Sequence, residues 1–471
     1  MPQGDGAAPR SDDRMTDLEA LMWGLARADP SLQTVMVMAG VLDRPVQPAQ
    51  MLERLRAISV AVPRLAEFPE VGPLPMVPPR WVRTAGFQPA DHLRVERVDG
   101  PVSDFRALAP IVGRAMCEPF DEGRPPWDFT LVEGPEGAGG GFVARLHHSY
   151  TDGQGAVNIA LGLFDPPDDE PASAPVMLHP TAAADQGPPA HTPLETLLSD
   201  AAHELATGLG AVRRIGPWAA AALRQALEDP AAATARASEF ATSLGRTARA
   251  ALLPGSPLLA PRSGETHTAS LHLPLDDVRA AGKNHGGTVN DVFLAGLLGG
   301  LSRYHEEHGD PFPAVKLGIP VSTRGGSDDI HNQLQGMLVR APLNLHDPAE
   351  RVRLVHAMVV ETRRQPWLSL VDAGAAAALR LPFATNALAG AVRTTEVLAS
   401  NVPGPPQRLH LTGARVRSLV PFGPRAGAAL NLTLLSYAGE VAIGVNADTA
   451  AIANLDLFVD CLSSGFGEVL A

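Results

Sequence analysis

Cysteine is scarce in this chain. Its 471 residues include two, Cys117 and Cys461, and nothing around them has metal-binding or redox spacing. This composition suits a reduced, cytoplasmic protein rather than a disulfide framework. Basic charge is also short: 38 Lys and Arg against 51 Asp and Glu leave a net charge of −13. That argues against a nucleic-acid partner held by a positive field. No window supplies the roughly 18 unbroken apolar residues of a spanning helix. Residues 1–14 are polar and carry no apolar core of a signal peptide; they read as disordered. Phosphate-loop, dinucleotide-binding and zinc-protease motifs are all missing. What remains is a globular composition, 45% hydrophobic and 19% charged.

The chain is organised around Gly140–Gly155 (GGFVARLHHSYTDGQG). Phe142, Ala144 and Leu146 alternate with Val143, Arg145 and His147, which predicts a strand. Asp152-Gly153 marks a turn. Val157, Ala160, Leu161 and Phe164 then recur at helical spacing. Two histidines therefore sit where a strand gives way to a helix. Strand neighbours face opposite ways, so one of them can face a cleft while the other packs behind it.

Before this stretch, Thr16 to Glu19 reads as a capping box opening a helix over 17–28. Gln33–Leu42 suits a strand, and Pro48 opens a second helix. Pro63–Pro79 reads as irregular and Val102–Met116 as a helix. Asp128–Glu133 and Gly141–His147 form an antiparallel pair. Residues 165–193 are a linker by composition, and 194–260 an Ala-rich helical connection. Beyond it, His267–Leu273 and Val315–Val321 read as strands. Asn290-Asp291 heads a buried helix, where acceptors meet free backbone N–H groups. Asp347–Arg363 is a further helix. Leu430–Tyr437 alternates as a strand with Asn431, Thr433 and Leu435 on one face, and it turns at 438–440 into a partner strand.

His147-His148-Ser149-Tyr150-Thr151-Asp152-Gly153 reads HHxxxDG. It resembles the active-site motif of the CoA-dependent acyltransferase superfamily, which includes chloramphenicol acetyltransferase. Pro119–Trp127, Asn290-Asp291 and Ser400–Pro405 (SNVPGP) are similar to elements of one branch, the bacterial wax ester synthase/diacylglycerol acyltransferases. The resemblance runs from about residue 16 to 465. It implies two chloramphenicol-acetyltransferase-like α/β domains, over 15–164 and 261–471, with mixed sheets and flanking helices. It also implies acyl transfer from acyl-CoA, a substrate rather than a cofactor, to a fatty alcohol or diacylglycerol. In that picture His148 is the general base, His147 holds the loop, Asp152 pairs structurally with an arginine, and Gly153 permits the turn. Oxyanion donors are sought among Asn290, Ser400, Asn401 and Thr433. Ser149 and Tyr150 depart from the small apolar residues common there, and Tyr150 is expected to narrow one mouth of the channel. Attachment to a membrane or lipid-droplet surface is compatible with the sequence, and the oligomeric state is left open. Two other readings stand beside this one: transfer to a sugar, polyketide or peptidyl acceptor, and non-catalytic lipid binding.

Overall fold

The computed structural model describes residues 14–74, 77–135, 137–151, 153–165, 253–322, 334–363 and 392–471, with isolated positions between 196 and 238 and residue 390. The expected linker beyond Asp165 and most of the Ala-rich connection lie outside the described residues, as does Asp152.

Helix α1 (Asp17–Ala28) is opened by a reciprocal cap. The Thr16 hydroxyl accepts the Glu19 N–H at 3.2 Å, and Glu19 accepts the Thr16 N–H at 2.9 Å. Strand β1 (Val35–Leu42) and helix α2 (Pro48–Ala61) follow as expected. The Pro-rich stretch after them is not irregular throughout. It holds β2 (Glu67–Glu70), which among the described residues pairs with β3 (Arg80–Arg83) alone. Pro69 is tolerated because an edge strand has one side that needs no donor. β4 (Leu93–Arg97) comes next. Helix α3 (Ala109–Cys117) starts later than the apolar spacing suggested. Pro110 sits in its first turn, and a separate 3-10 turn, Phe105–Ala107, precedes it. β5 (Trp127–Glu133) and β6 (Gly140–His147) pair antiparallel, and α4 (Gly153–Leu161) follows.

In the second half, β7 (Thr266–Pro274) leads to α5 (Leu275–Asn284) and the buried α6 (Val289–Glu307). The cap of α6 is Thr288; Asn290 and Asp291 are its second and third residues. β8 (Ala314–Ser322), β9 (Leu334–Pro342), α7 (Pro348–Arg363) and β10 (Val397–Val402) come next. Ser400 and Asn401 thus lie near the end of a strand. β11 (His410–Leu411), β12 (Ala414–Phe422), β13 (Leu430–Tyr437), β14 (Glu440–Asp448) and α8 (Leu455–Leu470) complete the chain.

Two six-stranded sheets result, ordered β11-β12-β1-β6-β5-β4 and β7-β14-β13-β10-β8-β9. Both mix parallel and antiparallel pairs. The architecture is the expected pair of mixed sheets with helices. β12 lies within the span expected for the second domain, yet it pairs with β1 in the first sheet. On the second sheet α6 and α8 cross closely. A Cβ at Gly300 would sit 2.7 Å from the Leu462 Cα.

Candidate active site

β1 sits between β6 and β12. Val37 pairs with Arg145 on one side and with Phe422 on the other. Their ends bring the His147-His148 turn and the Gly423-Pro424 turn to the same end of the sheet. His147 lies on one side of it and is buried. Its Nδ1 accepts the Ser149 backbone N–H at 3.1 Å, so the proton sits on Nε2, which donates to the Thr34 hydroxyl at 3.1 Å. Trp23 meets the ring edge-on at 4.9 Å. Burial above all, and then His148 nearby, pushes the His147 pKa down to about 3. It is a neutral, packed ring.

His148 points the other way. Its backbone N–H donates to the Thr34 carbonyl at 2.8 Å, and its half-buried side chain lines a cavity of about 550 Å³ between the two sheets. That volume is in the range of ligand pockets. Leu55 and Ile58 of α2, Val157, Ile159 and Ala160 of α4, and Phe129, Ala144 and Leu146 of the first sheet make one wall. Gly318, Leu398, Ser400, Asn401, Asn431 and Thr433 line it from the second sheet, and Pro421 to Pro424 close one side. Trp127 also lines it. Its indole N–H donates to the Leu65 carbonyl at 2.7 Å, and its ring stacks on His92 at 4.3 Å.

Three of the four oxyanion candidates reach this space: Ser400, Asn401 and Thr433. Thr433 donates its one hydroxyl proton to the Asn431 Oδ1 at 2.8 Å and accepts the Gly423 N–H at 3.0 Å. Asn290 is not among the lining residues; its Oδ1 accepts from the Asn401 amide at 3.5 Å. Asp291 completes the α6 cap, accepting from the Thr288 N–H and hydroxyl at 2.8 Å each, and lies 2.8 Å from the His356 Nδ1. Tyr150 does not reach the cavity. The chain turns it into the core, where its hydroxyl donates to the Glu67 carbonyl at 2.6 Å and its ring tilts on Trp81 at 4.8 Å. Ser149 is fully buried against His147. Gly153 starts α4. Asn431 and Gly423 were not picked out by sequence as site residues. The alternation that set Asn431 beside Thr433 was the available signal. Among the described residues no group of three or more His, Cys, Asp or Glu side chains could hold a metal.

Comparison with known proteins identifies the family. Residues 15–293 match the model of the wax ester synthase/diacylglycerol acyltransferase catalytic domain, and residues 330–469 match the family's C-terminal domain. The chain belongs to the wax ester synthase/diacylglycerol acyltransferase family. It is an acyltransferase. A Mycobacterium tuberculosis protein named as a diacylglycerol O-acyltransferase is 30% identical over 469 residues, covering 99% of this chain and 93% of its own. A second from that organism, similarly named, is 28% identical and covers 97% of each chain. Among solved structures, the wax ester synthase/diacylglycerol acyltransferase from Marinobacter aquaeolei superposes with a TM-score of 0.61. It is 19% identical, covering 97% of this chain and 98% of that one. The first condensation domain of the CDA synthetase gives a TM-score of 0.58 at 14% identity, covering 98% and 96%. These two family-member and condensation-domain structures share the fold.

Proposed function

We propose that this member of the family transfers a long acyl chain from acyl-CoA to the hydroxyl of a lipid acceptor, a fatty alcohol or diacylglycerol. The observation that carries the reading is His148 on the wall of a largely apolar cavity, with the neutral His147 packed behind it. His148 takes the acceptor's proton as its oxygen attacks the thioester carbonyl. The tetrahedral intermediate then collapses, the C–S bond breaks, and the proton passes from His148 to the departing thiolate. Ester and CoA result. No covalent enzyme intermediate is needed. The apolar wall from α2 and α4 suits an alkyl chain. Among the described residues no helix is long and apolar enough to cross a membrane. In this reading the acceptor is taken up at a membrane or droplet surface.

The test is release of free thiol from palmitoyl-CoA with hexadecanol or diacylglycerol. General-base catalysis is typically worth about 10²–10⁴-fold, so His148→Ala loses activity on that scale. Turnover by the wild-type chain that does not exceed the His148→Ala background refutes the proposal.

A further inference from the structure

We propose that the Asn431 side-chain amide is the oxyanion donor of this site, aimed by Thr433 as a positioning residue; this rests on the acyl-transfer reading above. Asn431 is buried and lines the cavity that His148 lines. Its orientation is fixed from both ends. Oδ1 accepts the Thr433 hydroxyl at 2.8 Å, and Nδ2 donates to the Pro424 carbonyl at 2.8 Å. Reversing the amide would set its oxygen against that carbonyl, acceptor against acceptor. The Nδ2 therefore stays where it is and keeps a second N–H. Thr433 cannot fill the role, because its single proton is committed to Asn431 while its oxygen holds the Gly423 N–H.

The spacing fits. His148 follows β6, and Gly423 follows β12, with β1 between them. His148 falls opposite Thr34 and Gly423 opposite Met36, so two strand spacings sideways and two residues along the strand put those backbones about 12 Å apart. The imidazole and the amide held against Gly423 line the same cavity, and the reacting carbonyl would sit between them. Gly423 is needed for this approach: a Cβ there would lie 2.8 Å from the Asn431 Nδ2 and 2.8 Å from the Thr433 Oγ1. As the acceptor oxygen attacks, the carbonyl electron pair moves onto oxygen, and the Asn431 N–H bonds to it without giving up its proton. When the C–S bond breaks the carbonyl re-forms.

Steady-state kinetics with palmitoyl-CoA and hexadecanol or diacylglycerol, on wild type, Asn431→Ala, Asn431→Asp, Thr433→Val, Thr433→Ser and the Asn431→Ala/Thr433→Val double variant, test this. Loss of one oxyanion donor costs about 10²–10³-fold in kcat, expected for both Asn431 variants with KM nearly unchanged. Thr433→Val lowers kcat, Thr433→Ser restores it, and the double variant is no slower than Asn431→Ala. Wild-type-like kcat in either Asn431 variant overturns the assignment, as do multiplying losses in the double variant. If Asn431→Ala does not fold, the Asp variant and the Val/Ser pair decide it: failure of Ser to rescue, or no loss with Val, overturns it. Wild type that does not turn over above His148→Ala refutes the parent reading instead, so the two failures are told apart.

Discussion

Lowering the pH should weaken this protein through His147, and the size of the effect can be worked out. The ring titrates near 6.5 in an unfolded chain and is held down at about 3 in the fold, chiefly by burial. Below pH 6.5 the unfolded state therefore binds a proton that the folded state refuses. Stability from this group is complete above pH 6.5 and is lost as the pH falls towards 3. At about 1.36 kcal/mol per unit, the whole window from 6.5 down to about 3 is worth roughly 5 kcal/mol, and the step from pH 7 to pH 5 about 2 kcal/mol. His147→Gln keeps an N–H for the Thr34 hydroxyl and cannot be protonated. The variant is less stable at neutral pH because the packing against Trp23 changes, but that loss is independent of pH. Urea unfolding of both proteins from pH 7.5 to pH 5 gives two curves. The gap between them should narrow by about 2 kcal/mol at acid pH. Contributions from His92, His272 and His305, which burial also pushes down, cancel in the comparison. A gap that stays constant across the range would show that His147 is not held neutral and would refute the argument.

Two further outcomes follow from the cavity and the cap. Ala160→Leu adds three carbons to the α4 wall and displaces about as many ligand methylenes, at roughly 0.8 kcal/mol each. Summed, that is about 50-fold in kcat/KM against palmitoyl-CoA relative to octanoyl-CoA, or against hexadecanol relative to octanol if this arm takes the acceptor. An unchanged ratio in both series would mean that no alkyl chain lies there. Asp291→Ala removes the reciprocal cap of α6 and should cost about 1–2 kcal/mol in urea unfolding. Its kcat/KM should stay near wild type, and lost activity at unchanged stability would move Asp291 into the chemistry.

The heart of the site was legible because it is local. The period-two run into His147 and the helical spacing after Gly153 fixed the β6–α4 corner and put the two imidazoles on opposite sides. Direction within the turn was not legible, and Tyr150 went into the core because no alternation operates once a strand has ended. β2 was hidden by Pro69, whose cost vanishes only when the strand is known to lie at an edge. The face shared by Asn431 and Thr433 could be read from alternation, yet a polar strand face looks alike whether it meets a cavity or a satisfied core. Only the bonds to Pro424 and Gly423 separate the two residues' roles. The place of β12 in the first sheet is tertiary information, because nothing in its own residues names its partner.

That placement limits how this enzyme can be taken apart. Main-chain pairing from Val37 to Leu42 stitches a late piece of the polypeptide into the lobe made early. Swinging the lobes open like a clamshell would unzip that seam, so wide opening of the cavity between the sheets would cost main-chain hydrogen bonds. For the same reason, severing the gene between its halves would hand each product a raw sheet margin instead of a finished module.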